Sequence, residues 1–422
     1  MFLIKKSSKH KSLRILLITH FYPPEMGAAA ARLQGLAHWL VKWDHKVTVL
    51  TGFPNYPSGK ISSNYRYKLQ ANEWFDGVNI VRTWVFATSH HSSIKRLLNY
   101  ISFVVSSIIT GLTLRKKYNV ILVSSPPLFI GIAGIILGKI FNVPFVLDLR
   151  DLWPDVAIEA GVFSEKSLAM KWSRRLANYI YHRAAHLTPV TESKLKRLYS
   201  IGIQKERMTV VENGVDFDRL EISSKYNWRK EMGITAKFVV TYTGLIGIAQ
   251  GIGIAVDAAE LIKHNPDIHF VIVGDGVERE VLIERVKQLQ LTNITFLHRQ
   301  SREIIPSIMA ASDVALVPLV SGALRDAVPS KLLEAWACQK AVILAAEGEA
   351  AELVRKSGGG VVISPGKPDE LAKAITLLSQ NQNLLNQYAD AGYIFVRERF
   401  DRRKSARYME YVLNRVVMEK KI

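Results

Sequence analysis

The sequence has almost no cysteine, with Cys338 as its one example in 422 residues. A single thiol excludes an intramolecular disulfide framework and any zinc or iron–sulfur site built from several cysteines. A secretory signal is not expected either, because the apolar run at residues 13–18 is short and leads directly into Pro23 and Pro24. We interpret that run as a buried strand.

Acidic residues are scarce in the first half of the chain. Residues 1–211 hold 29 basic and 11 acidic side chains, a net charge of +18, whereas residues 212–422 hold 27 and 26, a net charge of +1. This asymmetry predicts that the first half faces a polyanion, either nucleic acid or an acidic membrane. A basic background without a binding role is the alternative.

One segment has no charge over 18 residues, 97–114, and is flanked by Lys95-Arg96 and by residues 115–117, which are all basic. A spanning helix needs about 20 predominantly apolar residues, and this run carries Asn99, three serines and two threonines, so we do not expect it to span. It is either a helix buried against a sheet or a helix lying in the bilayer surface with its basic ends on anionic headgroups. The charge asymmetry favours the second, and the basic segment 166–183 would extend that surface.

Short apolar runs alternate with helical segments along nearly the whole chain, which predicts parallel sheets covered by helices on both faces. The stretch 213–227 lacks clear periodicity and separates two such series. We therefore predict two doubly wound α/β domains. The predicted strands are 14–19, 46–51, 78–85, 120–124, 145–149, 186–190, 208–211, 238–243, 269–273, 294–296, 314–317, 341–344 and 361–363, and the predicted helices include 29–43, 128–141, 165–185 and 402–419.

Glycines follow the first predicted strand of each series. Gly27 precedes four alanines that open a helix, and Gly244 and Gly247 belong to a loop with four glycines between residues 243 and 253. Ligands of doubly wound sheets bind beyond the carboxyl ends of the strands, where uncovered backbone N–H groups accept phosphate. Two such domains predict a cleft between them.

Two carboxylates eight residues apart, Asp326 and Glu334, flank a predicted helix start. Ser330 has the character of an N-cap, with Pro329 before it and Lys331 at the first helical position. This arrangement places Asp326 in the loop and Glu334 about one turn inside the helix. Carboxylate oxygens accept hydrogen bonds from sugar hydroxyls, while Lys331 and the helix N-terminus suit phosphate.

The Asp326–Glu334 pair resembles the E-x7-E element of retaining glycosyltransferases of family 4. Segments 55–57, 124–127 and 148–154 resemble the branch that builds bacterial surface polysaccharides, including fucosamine-type transferases. The resemblance implies the GT-B fold, in which two doubly wound Rossmann-like α/β domains face each other across a cleft. Other segments that carry it are 23–32, 213–216, 244–251, 273–276 and 312–318.

The resemblance also implies an activity. Members transfer a sugar with retention from a nucleotide-sugar, here expected to be a UDP-linked N-acetylated hexosamine or deoxyhexosamine, without a metal or cofactor. The expected acceptor is a polyprenyl-diphosphate-linked saccharide at the cytoplasmic side of the cell membrane, where the enzyme would be peripheral. Residues 1–215 would bind acceptor and membrane, residues 216–400 would bind the donor, and the helix within 401–422 would cross back to the first domain.

Site roles follow from the resemblance position by position. Glu334 would hold the ribose, Asp326 would lie near the donor sugar, and Gly27 would lie near the diphosphate. Asp326 departs from the family pattern by one methylene. No carboxylate in the sequence is a convincing nucleophile, so the resemblance favours same-face attack by the acceptor hydroxyl, assisted by the departing phosphate.

The second glycine loop departs from the family as well, because it carries Leu245 and Gln250 where many members have Arg and Lys. A leaving nucleoside diphosphate needs a counter-charge. We assign this role to Lys331, with Arg299 or Arg325 as further candidates. Arg150 and Asp151 stand where other members have a histidine after the fifth strand, and we place both on the acceptor side.

Two other functions are compatible with the sequence. One is a nucleotide-sugar epimerase of the same two-domain architecture, since fold alone does not fix function. The other is a non-catalytic basic protein that binds membrane or nucleic acid, although no recognised nucleic-acid motif is present. Asp216 and Asp218 match the metal-binding D-x-D pattern, which we interpret as a chance match at the domain junction, so no metal site is predicted.

Overall fold

The computed structural model describes residues 11–25, 27–55, 59–88, 93–114, 117–153, 168–220, 228–322 and 324–420. Contacts divide the chain into a first unit, residues 1–213 with 402–422, and a second unit, residues 214–401. The predicted boundaries at 215 and 400 lie two residues and one residue from these divisions.

The first unit is built on a seven-stranded sheet of order β3-β4-β2-β1-β5-β6-β7, in which β3 alone is antiparallel to its neighbour. The central strands are continuous apolar runs because both faces of the sheet are covered. The strands are β1 (Arg14–Ile18), β2 (Lys46–Gly52), β3 (Gln70–Phe75), β4 (Val78–Thr83), β5 (Val120–Ser125), β6 (Phe145–Leu149) and β7 (His186–Pro189).

Helices cover both faces of this sheet. One core forms against α2, α3 and α4, and the other forms against α1 and the C-terminal helix. The helices before the unit boundary are α1 (Ala28–Lys42), α2 (Ser93–Thr113), α3 (Ile130–Ile140), α4 (Leu168–Arg183) and α5 (Glu192–Ser200).

The second unit contains a six-stranded parallel sheet of order β10-β9-β8-β11-β12-β13. Its strands are β8 (Phe238–Thr243), β9 (Ile268–Val273), β10 (Ile294–Leu297), β11 (Val314–Pro318), β12 (Ala341–Ala345) and β13 (Gly360–Ile363). Its helices are α6 (Trp228–Glu231), α7 (Gly253–Leu261), α8 (Arg279–Gln288), α9 (Ile305–Ala310), α10 (Ser330–Ala337), α11 (Glu349–Ser357), α12 (Pro368–Gln380) and α13 (Gln382–Arg399).

The last helix, α14 (Arg402–Glu419), has the bounds that the sequence predicts and belongs to the first unit. It packs against α1, where Met409 and Leu413 join the same core as Leu36. His45 Nε2 lies 2.9 Å from Glu410 Oε1, and both side chains are buried. Apolar packing and a buried polar pair therefore hold the end of the chain on the first sheet.

Two features of the sheets differ from the prediction. Residues 208–211 do not form a strand, because Met208 makes only an isolated bridge to Leu187. Strand β3 was not predicted, since its sequence lacks the β-branched run that marks the buried strands. Of the predicted helix 165–185, residues 165–167 lie outside the described part of the chain.

Candidate active site

The order of strands in the second sheet identifies a switch point. Strands β8, β9 and β10 follow one another to one side, whereas β11, β12 and β13 follow one another to the other side. The loops that leave β8 and β11 therefore diverge at the carboxyl edge, and such an edge is where open α/β sheets bind ligands. Gly244 follows β8 at this point, and α10 follows the loop that leaves β11.

Gly244 and Lys331 meet at this switch point. Gly244 has a φ of +139°, and a Cβ added there would lie 2.2 Å from Cε and 2.9 Å from Nζ of Lys331. The Lys331 ammonium also lies 4.8 Å from the centre of the Tyr242 ring. The missing side chain at Gly244 thus lets a cation lie directly against the backbone of the glycine loop.

The surroundings of Lys331 disfavour its charged form. Burial lowers the pKa of Lys331 to about 8, and the Glu334 carboxylate opposes this shift only in part. The neighbouring Tyr242 is buried, which raises the pKa of its hydroxyl, and that hydroxyl donates a hydrogen bond to the Leu245 carbonyl. An anion arriving at this position would therefore replace solvation that the ammonium lacks.

Helix α10 presents Lys331 and Glu334 on one face, since residues three apart are neighbours on a helix. The helix begins at Ser330, with Pro329 in extended backbone at the N-cap position. The expectation that Ser330 is the N-cap and Lys331 the first helical residue is therefore wrong by one position, because helical backbone already begins at Ser330. Trp336 is buried and donates from Nε1 to the Gly359 carbonyl at 2.8 Å, which anchors the helix.

The glycines of this edge allow two loops to pack backbone to backbone. A Cβ on Gly274 would lie 1.8 Å from the Gly244 carbonyl oxygen, and a Cβ on Gly276 would lie 2.0 Å from the Ile246 carbonyl oxygen. Gly247 is buried in the same loop, and a Cβ there would lie 2.9 Å from Gln250 Oε1. The segment 274–276 thus supports the glycine loop against which the Lys331 side chain lies.

The loop before α10 places Asp326 and Arg325 in different surroundings. Asp326 is buried. Arg325 is exposed, its Nε lies 2.8 Å from Glu347 Oε2, and its carbonyl accepts the Glu349 N–H at 2.9 Å. The Arg325 guanidinium already has a carboxylate partner, so it is a weaker candidate than Lys331 for the cation that opposes the charge of the leaving diphosphate.

Arg299 lies apart from Lys331. It follows β10, which is two strands from β8, a separation of roughly 10 Å. Its N–H donates to Asp275 Oδ2 at 3.1 Å, and His298 Nδ1 lies 2.9 Å from Asp275 Oδ1. Burial raises the pKa of Asp275, but the hydrogen bonds from His298 and from the Arg299 backbone outweigh it and lower that pKa. The Arg299 side chain is exposed at this corner.

The first sheet has its own switch point, between β1 and β5. Gly27 precedes α1 there with a φ of +133°, and a Cβ would meet no described atom within 4 Å. Arg150 follows β6 and donates from Nη2 to the Pro126 carbonyl at 2.9 Å. Burial lowers the pKa of Arg150, and the charge of the adjacent Asp151 opposes the shift. Arg150 and Asp151 therefore lie at the edge where the prediction places the acceptor.

A buried ion pair that the sequence did not reveal joins α1 to this edge. Arg32 Nη2 lies 2.8 Å from Asp148 Oδ1, with side-chain exposures of 2% and 0%. Arg32 also donates to the Val211 and Glu212 carbonyls at 2.8 Å. The one feature of the sequence that could have indicated this pair is an arginine in the otherwise apolar start of α1. The pair fixes the segment through which the chain leaves the first unit.

Two family models match the chain. The Glycosyl transferase 4-like domain matches residues 27–214, and Glycosyl transferases group 1 matches residues 224–395. The chain is a glycosyltransferase. Similar curated proteins include a glycosyl transferase named for colanic acid biosynthesis, WcaI of Escherichia coli (strain K12), which is 25% identical over 90% of this chain and 96% of its own. The 2-deoxystreptamine glucosyltransferase of Streptomyces kanamyceticus is 25% identical over 58% and 63%.

Solved structures resemble the glycosyltransferase along nearly its whole length. HepE of Anabaena, crystallised with UDP and glucose, has a TM-score of 0.72 at 20% identity and covers 95% of this chain and 99% of that one. Sucrose-phosphate synthase of Thermosynechococcus elongatus has a TM-score of 0.77 at 18% identity, with 96% and 100% covered. The predicted GT-B fold of two Rossmann-like domains is confirmed.

Helix α2 of the glycosyltransferase forms hydrogen bonds through one face and exposes an apolar face on the other. Asn99, Ser102, Ser106 and Thr110 form hydrogen bonds to residues 83–86, which follow or end β4. By length and composition, Ile94–Thr113 is also apolar enough to cross a bilayer, with 33% buried in the protein. The apolar residues exposed between 41% and 71% are Ile94, Leu97, Leu98, Ile101, Val105, Ile109 and Leu112.

This arrangement combines features of both predictions for 97–114, since the helix covers the sheet with one face and exposes an apolar face. Helix α3 packs between α2 and α4, and α4 adds an exposed Trp172 whose ring has Arg175 at 5.7 Å. Of the basic residues that flank the run, Arg115 and Lys116 lie outside the described residues.

Within the described ranges, no group of three or more His, Cys, Asp or Glu side chains could hold a metal ion. The D-x-D match lies at a short 3₁₀ turn, Phe217–Arg219, for which Asp216 is the N-terminal cap residue.

Proposed function

We propose that this glycosyltransferase moves a sugar, with retained configuration, from a UDP-linked donor to a polyprenyl-diphosphate-linked saccharide in surface-polysaccharide synthesis. The observation that carries the proposal is the Lys331 ammonium against the Gly244 backbone at the switch point of the second sheet. The name of WcaI, with its reference to colanic acid, and the UDP bound by HepE support the polymer and the donor.

The donor site combines a cation, a helix N-terminus and two carboxylates. Lys331 and the first turn of α10, which begins at Ser330, would face the diphosphate, with the Gly244 and Gly247 backbone approaching it closely. Glu334, one turn along the same face, would accept hydrogen bonds from the ribose hydroxyls. Asp326 would contact the donor sugar from the preceding loop. Exposed Arg299 lies too far along the edge to share the place of Lys331 and would contact the donor from the β10 side.

The chemistry is stabilisation of a leaving group. The bond between the anomeric carbon and the diphosphate oxygen breaks, and the acceptor oxygen bonds to that carbon from the same face. The acceptor proton passes to the departing phosphate oxygen, so no enzyme base is required. Negative charge grows on UDP in this step, and Lys331 is placed to oppose it. We therefore expect transfer to need no metal or cofactor.

The first unit would bind the acceptor at a membrane. Arg150 and Asp151 lie at the edge of its sheet, where the acceptor saccharide would be received. Gly27, which precedes α1 at that edge, keeps the role beside the diphosphate that the resemblance implies. The apolar outer face of α2 and the excess of basic residues in the first half together fit an anionic bilayer. We propose a peripheral position at the cytoplasmic side of the membrane, with no nucleic-acid partner. The segments that resemble fucosamine-type transferases favour a UDP-linked N-acetylated hexosamine or deoxyhexosamine as donor.

The test of the donor site compares Glu334→Ala with Glu352→Ala, an exposed acid on α11. Loss of a charge-assisted hydrogen bond removes about 1.5–3 kcal/mol, so Glu334→Ala should weaken UDP binding by roughly 10- to 150-fold and lower UDP release by a similar factor when the donor is below saturation. Glu352→Ala should behave as wild type, and a metal chelator should change neither enzyme. Wild-type turnover in Glu334→Ala would refute the site.

A donor screen by UDP release, with synthetic polyprenyl-diphosphate saccharides as acceptors, would identify the substrates. Parallel incubation with UDP-sugars alone tests the epimerase alternative. An epimerised sugar formed without acceptor would replace the proposed function.

A further inference from the structure

A pocket of about 400 Å³ lies within the first unit, between the loops that follow β1 and β2. Pockets of this volume accommodate small ligands. Its lining includes a carboxylate (Glu25), an amide (Asn55), an ammonium (Lys60) and a hydroxyl (Ser62). This combination offers both acceptors for sugar hydroxyls and a cation for phosphate. Nothing in the donor site uses this pocket.

The pocket is attached to the inner face of α2. Asn99, fully buried in that helix, donates from Nδ2 to the Phe86 carbonyl at 2.7 Å and lies 3.5 Å from Asn55 Oδ1. The Asn55 N–H in turn donates to Glu25 Oε1 at 3.0 Å. Asn99 Oδ1 has no hydrogen-bond partner among the described residues. A buried asparagine in an apolar segment, with half of its amide unsatisfied, indicates a role beyond packing.

A buried cation, Arg82, supports the loop of Pro23 and Pro24. Arg82 is 1% exposed, donates from Nε to Glu73 Oε2 at 2.9 Å and donates from Nη2 to the Pro23 carbonyl. Its Nη1 has no hydrogen-bond partner in the described part of the chain. Arg82 thus fixes the loop that supplies Pro24 and Glu25 to the pocket, and Lys60 adds an exposed ammonium to the lining.

The distance from the pocket to the apolar outer face of α2 is set by the helix itself. An α-helix with its side chains is about 10–12 Å across, and the headgroup layer on each side of a bilayer is roughly 5–8 Å thick. With the outer face of α2 in the hydrocarbon, the pocket would lie just above the headgroups. That is the level at which the diphosphate of a polyprenyl lipid leaves the membrane.

We propose that this pocket binds the diphosphate and adjoining sugar of a lipid-linked acceptor, and that Asn99 is a positioning residue that sets the pocket wall at the height of the membrane helix. The inference rests on the proposed function, because it names the place of the acceptor. Lys60 contacts the diphosphate, Glu25 and Ser62 contact the sugar hydroxyls, and Asn99 acts through Asn55.

The first experiment measures binding to phosphatidylcholine vesicles with and without polyprenyl diphosphate, and to phosphatidylglycerol vesicles of equal charge. Adding polyprenyl diphosphate to the vesicles should raise the affinity of Lys60→Ala about tenfold less than it raises the affinity of wild type, because one charge-assisted contact is lost. The affinity of this variant for phosphatidylglycerol vesicles should be unchanged. Lys68→Ala, an exposed lysine outside the pocket, should change neither. Excess soluble diphosphate should displace the wild-type protein from vesicles that contain polyprenyl diphosphate if the head group alone is recognised. If the protein stays bound to these vesicles, it recognises the intact lipid-linked group.

The pocket proposal is overturned if Lys60→Ala and Lys68→Ala behave alike. Because this assay contains no donor, its result is independent of the donor site. Lipid-dependent binding without any transfer from UDP-sugars would refute the proposed function and support the proposal for the pocket. Transfer that Lys60→Ala leaves unchanged would refute the proposal for the pocket and leave the proposed function standing.

The second experiment compares Asn99→Leu with Ser102→Ala, which removes a contact from the same face of α2 to Phe86 but none to Asn55. Asn99→Leu should raise the acceptor KM several-fold with kcat and UDP affinity unchanged. Ser102→Ala should leave that KM as in wild type. Equal changes in both variants, or a change in UDP affinity, would reduce Asn99 to a structural residue.

Discussion

Replacing Gly244 by alanine tests the contact on which the donor site depends. The new Cβ would lie 2.2 Å from Lys331 Cε, and the residue would have to adopt a φ of +139°. Either the lysine moves or the loop does. In both cases the ammonium leaves its place against the glycine backbone.

The expected magnitude has two parts. A non-glycine residue in this backbone region costs about 1–3 kcal/mol of folding free energy. Separately, loss of a charged contact to the diphosphate costs about 1.5–3 kcal/mol of binding free energy, which weakens UDP binding roughly 10- to 150-fold. The free energy of unfolding should therefore fall modestly while UDP affinity falls strongly.

Gly253→Ala is the matched control. It begins α7 just beyond the same loop, and its Cβ would meet only Leu282 Cδ2 at 3.9 Å. Alanine is favoured over glycine in a helix by about 0.5–1 kcal/mol, so this variant should be slightly more stable and bind UDP as wild type. Titration calorimetry and thermal unfolding measure both quantities. Wild-type UDP affinity in Gly244→Ala would refute the placement of Lys331.

Three further outcomes are expected. At pH 8, near the lowered pKa of Lys331, UDP binding should take up about half a proton, since the diphosphate restores the charged lysine, and affinity should decline as pH rises further. Arg32→Ala should lower the free energy of unfolding by about 3–5 kcal/mol because it leaves a buried carboxylate without its cation, whereas Lys237→Ala, at an exposed pair, should cost at most about 1 kcal/mol. Replacing Val105 and Ile109 by serine should weaken binding to anionic vesicles by roughly 10- to 150-fold, since about half of each side chain is available for transfer.

Each of these three predictions has a control variant or an outcome that would contradict it. Proton uptake is read from calorimetry in buffers of different ionisation enthalpy, and uptake that persists in Lys331→Met would assign the proton elsewhere. Similar unfolding free energies for Arg32→Ala and Lys237→Ala would contradict the buried pair. Leu377→Ser, an exposed leucine of the second unit, should leave vesicle binding unchanged, and undiminished binding in the double serine variant would remove α2 from the membrane surface.

Strands buried on both faces were readable from sequence because they are short apolar runs. The bounds of β6 and β8 agree with the prediction at both ends. Strand β3 lies at the sheet edge with three partly or fully exposed polar residues and an exposed Trp74, so it lacks that signal. Residues 208–211 have the apolar signal but only one bridge, because the sheet already ends at β7.

The candidate site was readable where its residues are neighbours in the chain. The spacing of Asp326 and Glu334 predicted a loop followed by a helix, and α10 begins within one residue of that expectation. The approach of Lys331 to Gly244 was not readable, since it arises from the adjacency of β8 and β11. For the same reason the partner of Arg32 appeared only in the folded chain.

The first unit of this enzyme is synthesised in two parts, one before and one after the second unit. A ribosome releases every residue of the second unit before it releases α14, yet α14 completes the core of the first unit against α1. Until α14 is made, the first sheet has an apolar flank that water or a chaperone must cover. A gene fragment that stops at residue 213 would carry this flank permanently, so the first unit should be expressed with α14 fused back onto it.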